Sequence, residues 1–107
     1  MIFTLYHNNN CSKSRACLQI LLKNNINFKI REYMKEPLSI EEIKHLFFNF
    51  NSNKVDLFRK KILNCDMEEL IKLLHLNQKE IQRPIFYNGK EYIICRPPDK
   101  VLDYIQL

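Results

Sequence analysis

One cysteine stands where its surroundings can make it a nucleophile. Cys11 follows the apolar run Ile2-Phe3-Thr4-Leu5-Tyr6 and the polar stretch His7-Asn8-Asn9-Asn10. It precedes Ser12-Lys13-Ser14-Arg15, where a helical pattern begins. A thiol between a strand end and the first helical turn faces unpaired backbone N–H groups and the positive end of the helix dipole. Both favour an anion, so the thiol pKa falls and the thiolate fraction at neutral pH rises. Lys13 and Arg15 add positive charge, and Ser14 can donate a hydrogen bond. The same place can hold a tetrahedral oxyanion beside the sulfur. The alternative is a buried loop cysteine with Ser12 as an ordinary helix cap.

The other three cysteines, Cys17, Cys65 and Cys95, offer less. No two cysteines make a C-x-x-C pair, and their spacings do not suit zinc. Ser14 occupies the place where a redox partner of Cys11 would stand. Cys17 is expected in the core, Cys95 in a strand and Cys65 just before a helix cap. His45 and His75 lie in helical stretches and read as surface or half-buried residues. No metal site is expected. The start of the chain lacks the charged and apolar regions of a secretion signal, so reduced thiols and a cytoplasmic location are expected.

Seventeen Lys and Arg against twelve Asp and Glu give a net charge of +5. The chain also holds twelve Lys, twelve Asn and thirteen Ile but one Gly, a compositional bias that accounts for much of the lysine excess. Basic and aromatic residues do not interleave as they do on RNA-binding sheets, so no nucleic-acid partner is expected. The five arginines, Arg15, Arg31, Arg59, Arg83 and Arg96, say more. A guanidinium grips two oxygens of an oxyanion at once, which a lysine cannot do.

The elements that must position these groups follow from periodicity. With 107 residues, 46% of them hydrophobic and 27% charged, the composition suits a single globular domain spanning residues 1–107. No apolar run approaches the roughly 20 residues of a membrane span, so no membrane association is expected. Residues 2–6 read as a strand. A helix from Ser12 carries the stripe Cys17, Leu18, Leu21 and Leu22 and ends at Asn24-Asn25. Phe28, Ile30 and Tyr33 suggest a second strand, which the intervening helix makes parallel to the first. After Pro37, Ser39 and Glu42 form a capping box, with Leu38 and Ile43 as a hydrophobic staple. Ile43, Leu46, Phe47 and Phe50 are expected to be that helix's buried stripe. Val55, Phe58 and Ile62 predict a short helix over 55–62. Asp66 and Glu69 open another helix with Leu70, Ile71 and Leu74 inside, and Asn77 is expected to cap one more turn. Ile85-Phe86-Tyr87 and Tyr92-Ile93-Ile94 flank Asn88-Gly89, a strong hairpin signal. Pro97-Pro98 starts a last helix with Val101, Leu102 and Ile105 facing in. The order βαβ, helical insert, ββα predicts an α/β thioredoxin-like fold, a small mixed sheet covered by helices.

At this point the motifs converge on a resemblance. His7-Asn8-x-x-Cys11-x-x-Ser14-Arg15 resembles the H-N-P-x-C-x-x-S-R signature of the glutaredoxin-coupled arsenate reductase family. Arg83-Pro84-Ile85, Cys95-Arg96-Pro97 and Val101-Leu102-Asp103 resemble its R-P-I, C-R-P and V-L-D blocks. Leu57-Phe58-Arg59-Lys60 resembles its L-x-R-K stretch. The blocks stand in the family's order along nearly the whole chain. Asn9 replaces the signature proline, so a looser loop is expected there.

The resemblance implies that Cys11 attacks the arsenic of bound arsenate and that Arg59, Arg83 and Arg96 grip the oxyanion and its adduct. It implies supporting roles for His7, Ser14 and Arg15, and a cis-proline at Pro84. Glutathione, the co-substrate, would attack the adduct, glutaredoxin would remove the glutathione, and arsenite would leave. No bound cofactor is implied, and a monomer is expected. Two alternatives stay open. One is an Spx-type regulator that binds RNA polymerase, although such regulators generally carry the C-x-x-C pair lacking here. The other is a family member that does not turn over arsenate and acts on another thiol-linked substrate.

Overall fold

Strand β1 (Phe3–Tyr6) alternates side chains between the two faces of the sheet, and this alternation organises the core. The computed structural model describes residues 2–62 and 65–105. After β1 come α1 (Ser12–Lys23), β2 (Phe28–Arg31), α2 (Ile40–Phe48) and a 3-10 turn (Lys54–Leu57). Next are α3 (Met67–Leu76), a second 3-10 turn (Gln78–Glu80), β3 (Ile85–Tyr87), β4 (Tyr92–Ile94) and a 3-10 helix (Pro98–Tyr104).

The sheet order is β2-β1-β3-β4. Strand β1 is central. Leu5 lies opposite Ile30 in a parallel pairing with β2 and opposite Phe86 in an antiparallel pairing with β3. Strands β3 and β4 form an antiparallel hairpin. Its turn spans Asn88 to Glu91, longer than a two-residue loop, and Asn88 Oδ1 accepts the N–H groups of Lys90 and Glu91. Gly89 has φ of 94°, a conformation in which a side chain would clash. A βαβ unit, a helical insert and a ββα unit on one small mixed sheet make this a thioredoxin-like α/β fold.

Each face of the sheet builds its own apolar cluster. On one, Phe3, Leu5, Phe86 and Ile93 pack with Cys17 and Leu21 of α1 and with Val101 of the C-terminal 3-10 helix. On the other, Ile85 and Tyr92 pack with Ile43, Leu46 and Phe47 of α2 and with Leu70, Ile71 and Leu74 of α3. The capping box of α2 is complete, with Ser39 Oγ accepting the Glu42 N–H and Glu42 Oε1 accepting the Ser39 N–H. Gln78 ties the two insert helices together through reciprocal bonds to the Leu38 backbone, each 2.7 Å.

Several sequence expectations need correction. The segment 55–62 is not a helix. The chain makes the 3-10 turn Lys54–Leu57 and then runs extended, with Phe58 bridged to Ile81. The Arg59 N–H donates to Glu80 O at 2.8 Å and the Gln82 N–H to Leu57 O at 2.7 Å. Tertiary pairing there overrides a helical period. Phe50 lies beyond α2, where residues 49–51 pair along the outer edge of β4. Tyr33 lies in a turn after β2, not in the strand. Leu22 and Leu102, expected inside, are exposed on the outer flanks of their helices. The final helix is 3-10, and Asn77 makes no side-chain cap to the turn it precedes.

Candidate functional site

Cys11 is the N-cap residue of α1, with extended backbone and no capping bond from its side chain. Its sulfur is therefore left to face the orphan N–H groups of the first turn. That turn carries no acidic residue to compete for them. Partial burial pushes the Cys11 thiol up. The N–H of Ser14, the side chain of Arg83, the N–H of Lys13 and the Arg83 charge pull it down further, and the net pKa is below the ordinary thiol value. Other thiols behave differently. Burial and the Glu69 carboxylate raise Cys65, while the neighbouring Cys17 thiol and burial raise Cys95.

The loop before Cys11 is fixed from inside. His7 and Ser14 are buried, and His7 Nδ1 lies 2.7 Å from Ser14 Oγ. Ser14 Oγ also accepts the Asn8 N–H at 3.1 Å. The Asn9 side-chain oxygen, which can only accept, lies 3.4 Å from His7 Nε2. The Ser14 hydroxyl and the Asn9 side chain bracket the two ring nitrogens of His7. His7 thus acts on the loop through Ser14 and Asn8. Asn8 Oδ1 accepts the Asn10 N–H at 2.9 Å, and the Asn8 carbonyl accepts the Cys11 N–H at 3.0 Å. Arg15 reaches back to the Asn9 carbonyl at 2.8 Å, so its guanidinium braces the loop. Asn9, where a looser loop was expected, is held by its carbonyl and by its side chain.

The arginines arrive from the other end of the chain. Arg83 precedes β3, the neighbour of β1 in the sheet, and its peptide bond to Pro84 is cis. The Arg96–Pro97 bond is also cis. Arg96 Nε donates to the Arg83 carbonyl at 2.8 Å, and Arg83 Nη1 donates to the Lys79 carbonyl at 2.8 Å. Arg59 and Arg96 line one cleft of about 530 Å³ together with Lys60, Lys61 and Lys100. Cys11 does not line this cleft. Arg83 connects the two places, since its side chain reaches the thiol and its carbonyl holds Arg96.

Sequence reasoning missed two residues here. Asn8 organises the loop by its side chain and both backbone groups, and its place in the His7-Asn8-x-x-Cys11 motif was the signal for it. Tyr33 is buried beside Arg83 and Cys11, whose charges act in opposite directions on its phenol. It read as an ordinary strand residue. Among the described residues, no three His, Cys, Asp or Glu side chains gather to hold a metal ion, and no helix is long and apolar enough to cross a membrane.

The fold and this loop together define a thioredoxin-like protein with an activated thiol at a helix N-terminus, one arginine, Arg83, acting on it, and two more, Arg59 and Arg96, in a separate cleft that Cys11 does not line. A sequence model of the ArsC family matches residues 6–104, and the chain belongs to that family. A relative named arsenate reductase in Haemophilus influenzae is 31% identical over 116 residues, covering 98% of this chain and all of that protein. A relative named global transcriptional regulator Spx 1 in Oceanobacillus iheyensis is 28% identical, covering 95% of this chain and 86% of that one. The solved structure of an arsenate reductase from Vibrio cholerae superposes with a TM-score of 0.87 at 29% identity, covering 97% of this chain and 98% of that one.

Proposed function

We propose that the protein reduces arsenate to arsenite, with Cys11 as nucleophile and glutathione and glutaredoxin as the thiol reductants. The observation that carries this reading is the Cys11 thiol itself. Its pKa is lowered by Ser14 and Lys13 N–H groups and by Arg83, an arrangement that serves both a thiolate and a tetrahedral anion next to it. The thiolate attacks As(V), and an arsenic-bound oxygen leaves as water. Glutathione displaces a second oxygen. Glutaredoxin's thiolate then attacks the glutathione sulfur. The S–As bond breaks, its electron pair stays on arsenic, and As(III) is hydrolysed from Cys11 as arsenite. Overall two thiols become one disulfide and arsenic gains two electrons. Arg59, Arg83 and Arg96 hold the oxygens and balance their charge. We place this reaction in the cytoplasm, on a monomer.

Reliance on an outside thiol is supported by Ser14. The side chain in the partner position is a hydroxyl, buried and committed to His7 and Asn8, and Cys17 is fully buried on the core side of α1. The match to regulators named Spx favours a second reading, a polymerase-binding adapter. Lack of a second thiol near Cys11 weighs against a thiol–disulfide switch there.

The test is NADPH consumption coupled through glutathione, glutaredoxin and glutathione reductase, with and without arsenate. Arsenate-dependent turnover that disappears in Cys11→Ser supports the reductase. Folded wild-type protein without turnover removes arsenate as substrate and turns attention to polymerase binding.

A further inference from the structure

Among the described residues, two buried side-chain polar atoms lack a hydrogen-bond partner, the Tyr33 hydroxyl and Arg83 Nε. Buried polar groups are nearly always paired, so each exception asks for a reason. Here the two exceptions share one small region. The Arg83 side chain and its charge act on the Cys11 thiol. The Tyr33 phenol is acted on by the charges of Arg83 and Cys11 and by the Asn8 side chain, which does not reach hydrogen-bond geometry with it.

Tyr33 is only 1% exposed, so water does not satisfy its hydroxyl from outside. The turn that places it is rigid, because the N–H groups of Lys35 and Glu36 both donate to Glu32 O at 2.9 Å. Arg83 is likewise held, with Nη1 spent on the Lys79 carbonyl. Its Nε–H remains free, and a guanidinium nitrogen can only donate. Burial raises the Tyr33 pKa, which keeps the phenol protonated and able to donate. Two open donors beside an anionic sulfur call for a ligand with several acceptor atoms. A tetrahedral oxyanion has them.

We propose that Tyr33 is an oxyanion-binding residue, its hydroxyl and the Arg83 Nε–H together donating to oxygens of a tetrahedral oxyanion held beside Cys11. The assignment rests on the reading of the Cys11 loop as an oxyanion site. Tyr33 adds no charge. It contributes a donor at a fixed place, and so helps the site select by the position of the ligand's oxygens.

The test measures protection of Cys11 from alkylation by iodoacetamide, read by mass spectrometry, in titrations with arsenate, phosphate and sulfate without reductant. Wild type and Tyr33→Phe are compared. In Tyr33→Phe, half-protection by arsenate is expected to need about tenfold more anion, as for loss of one good hydrogen bond. Its alkylation rate without anion and its Tm should stay close to wild type, because the hydroxyl removed makes no hydrogen bond within the protein. Equal protection of both proteins overturns the Tyr33 assignment and leaves the Cys11 site standing. No protection of wild type by any of the three anions overturns both. A second measurement covers a variant that does not fold: the tyrosine ultraviolet difference spectrum of wild type during the arsenate titration. A saturable change at the protecting concentrations supports the assignment, and a flat spectrum overturns it.

Discussion

Arg96 Nε donates to the carbonyl oxygen of Arg83 at 2.8 Å, so one candidate oxyanion arginine holds the backbone of another. A lysine at 96 keeps the charge but loses both the planar fork and this bond. Arg96→Lys is therefore expected to lower kcat/KM for arsenate by roughly 10- to 100-fold, more than charge alone predicts. The same variant should shift the Cys11 alkylation midpoint upward, because Arg83 loses its support. Steady-state kinetics and a pH series of alkylation rates check the two effects separately.

Alkylation of Cys11 should show a midpoint below that of a free thiol, since its pKa is lowered in the fold. The sign carries over to stability. Between the lowered folded value and the unfolded value of about 8.5, the unfolded chain binds more protons, so stability rises with pH. Wild type should therefore gain Tm relative to Cys11→Ser as pH rises through that window, and lose the gain as pH falls through the folded pKa. Paired melting curves across the range measure it.

Removing the Ser14 hydroxyl leaves the buried Asn8 N–H and the His7 ring without their shared partner. Ser14→Ala is expected to cost about 1–3 kcal/mol of stability. Urea denaturation gives that number. The loop would relax with it, so the alkylation rate near neutral pH should fall as well.

Glu42 joins the start of α2 to the edge strand β2. Burial raises its carboxyl pKa, but Arg31, in a two-pronged pair at 2.7 and 3.2 Å, and the Ser39 N–H bring it below the usual range. The pair is partly exposed and glutamine can keep the cap, so Glu42→Gln should cost at most about 1 kcal/mol at pH 7, from the lost charge of the pair. A depressed folded pKa means that this contribution is present above the unfolded value of about 4.3 and is lost as pH falls through the folded one. Denaturation at pH 7 and at pH 3 should show the gap between the two proteins closing.

Local signals carried much of the architecture. Ser39 and Glu42 mark a cap because the bonds they make lie within four residues of sequence. Asn88-Gly89 marks a turn because only a residue without a side chain sits easily at that φ. Cys11 was legible as a candidate for the same reason, its position at a helix start. The failures share the opposite cause. Val55, Phe58 and Ile62 have helical spacing, yet Phe58 is drawn extended by Ile81, a partner that no local pattern reveals. Tyr33 looks like any strand aromatic until Arg83 and Cys11 are set beside it. Leu22 and Leu102 fit apolar stripes, but the helices that carry them are covered on one side only, and these two fall on the other.

Strand β1 leads into the Cys11 loop, and its pairing with β3 brings Arg83 from near the far end of the chain. Part of the thiol's acidity is thus a long-range property, added to the effect of the α1 N–H groups only when distant segments have closed on each other. Contacts of that kind form late, after the loop-closure entropy has been met. Thiol reactivity at neutral pH therefore acts as a clock for folding. A chain that has made α1 but not yet zipped β1 to β3 has the helix share of that acidity without the Arg83 share, and the fastest cysteine belongs only to the finished molecule.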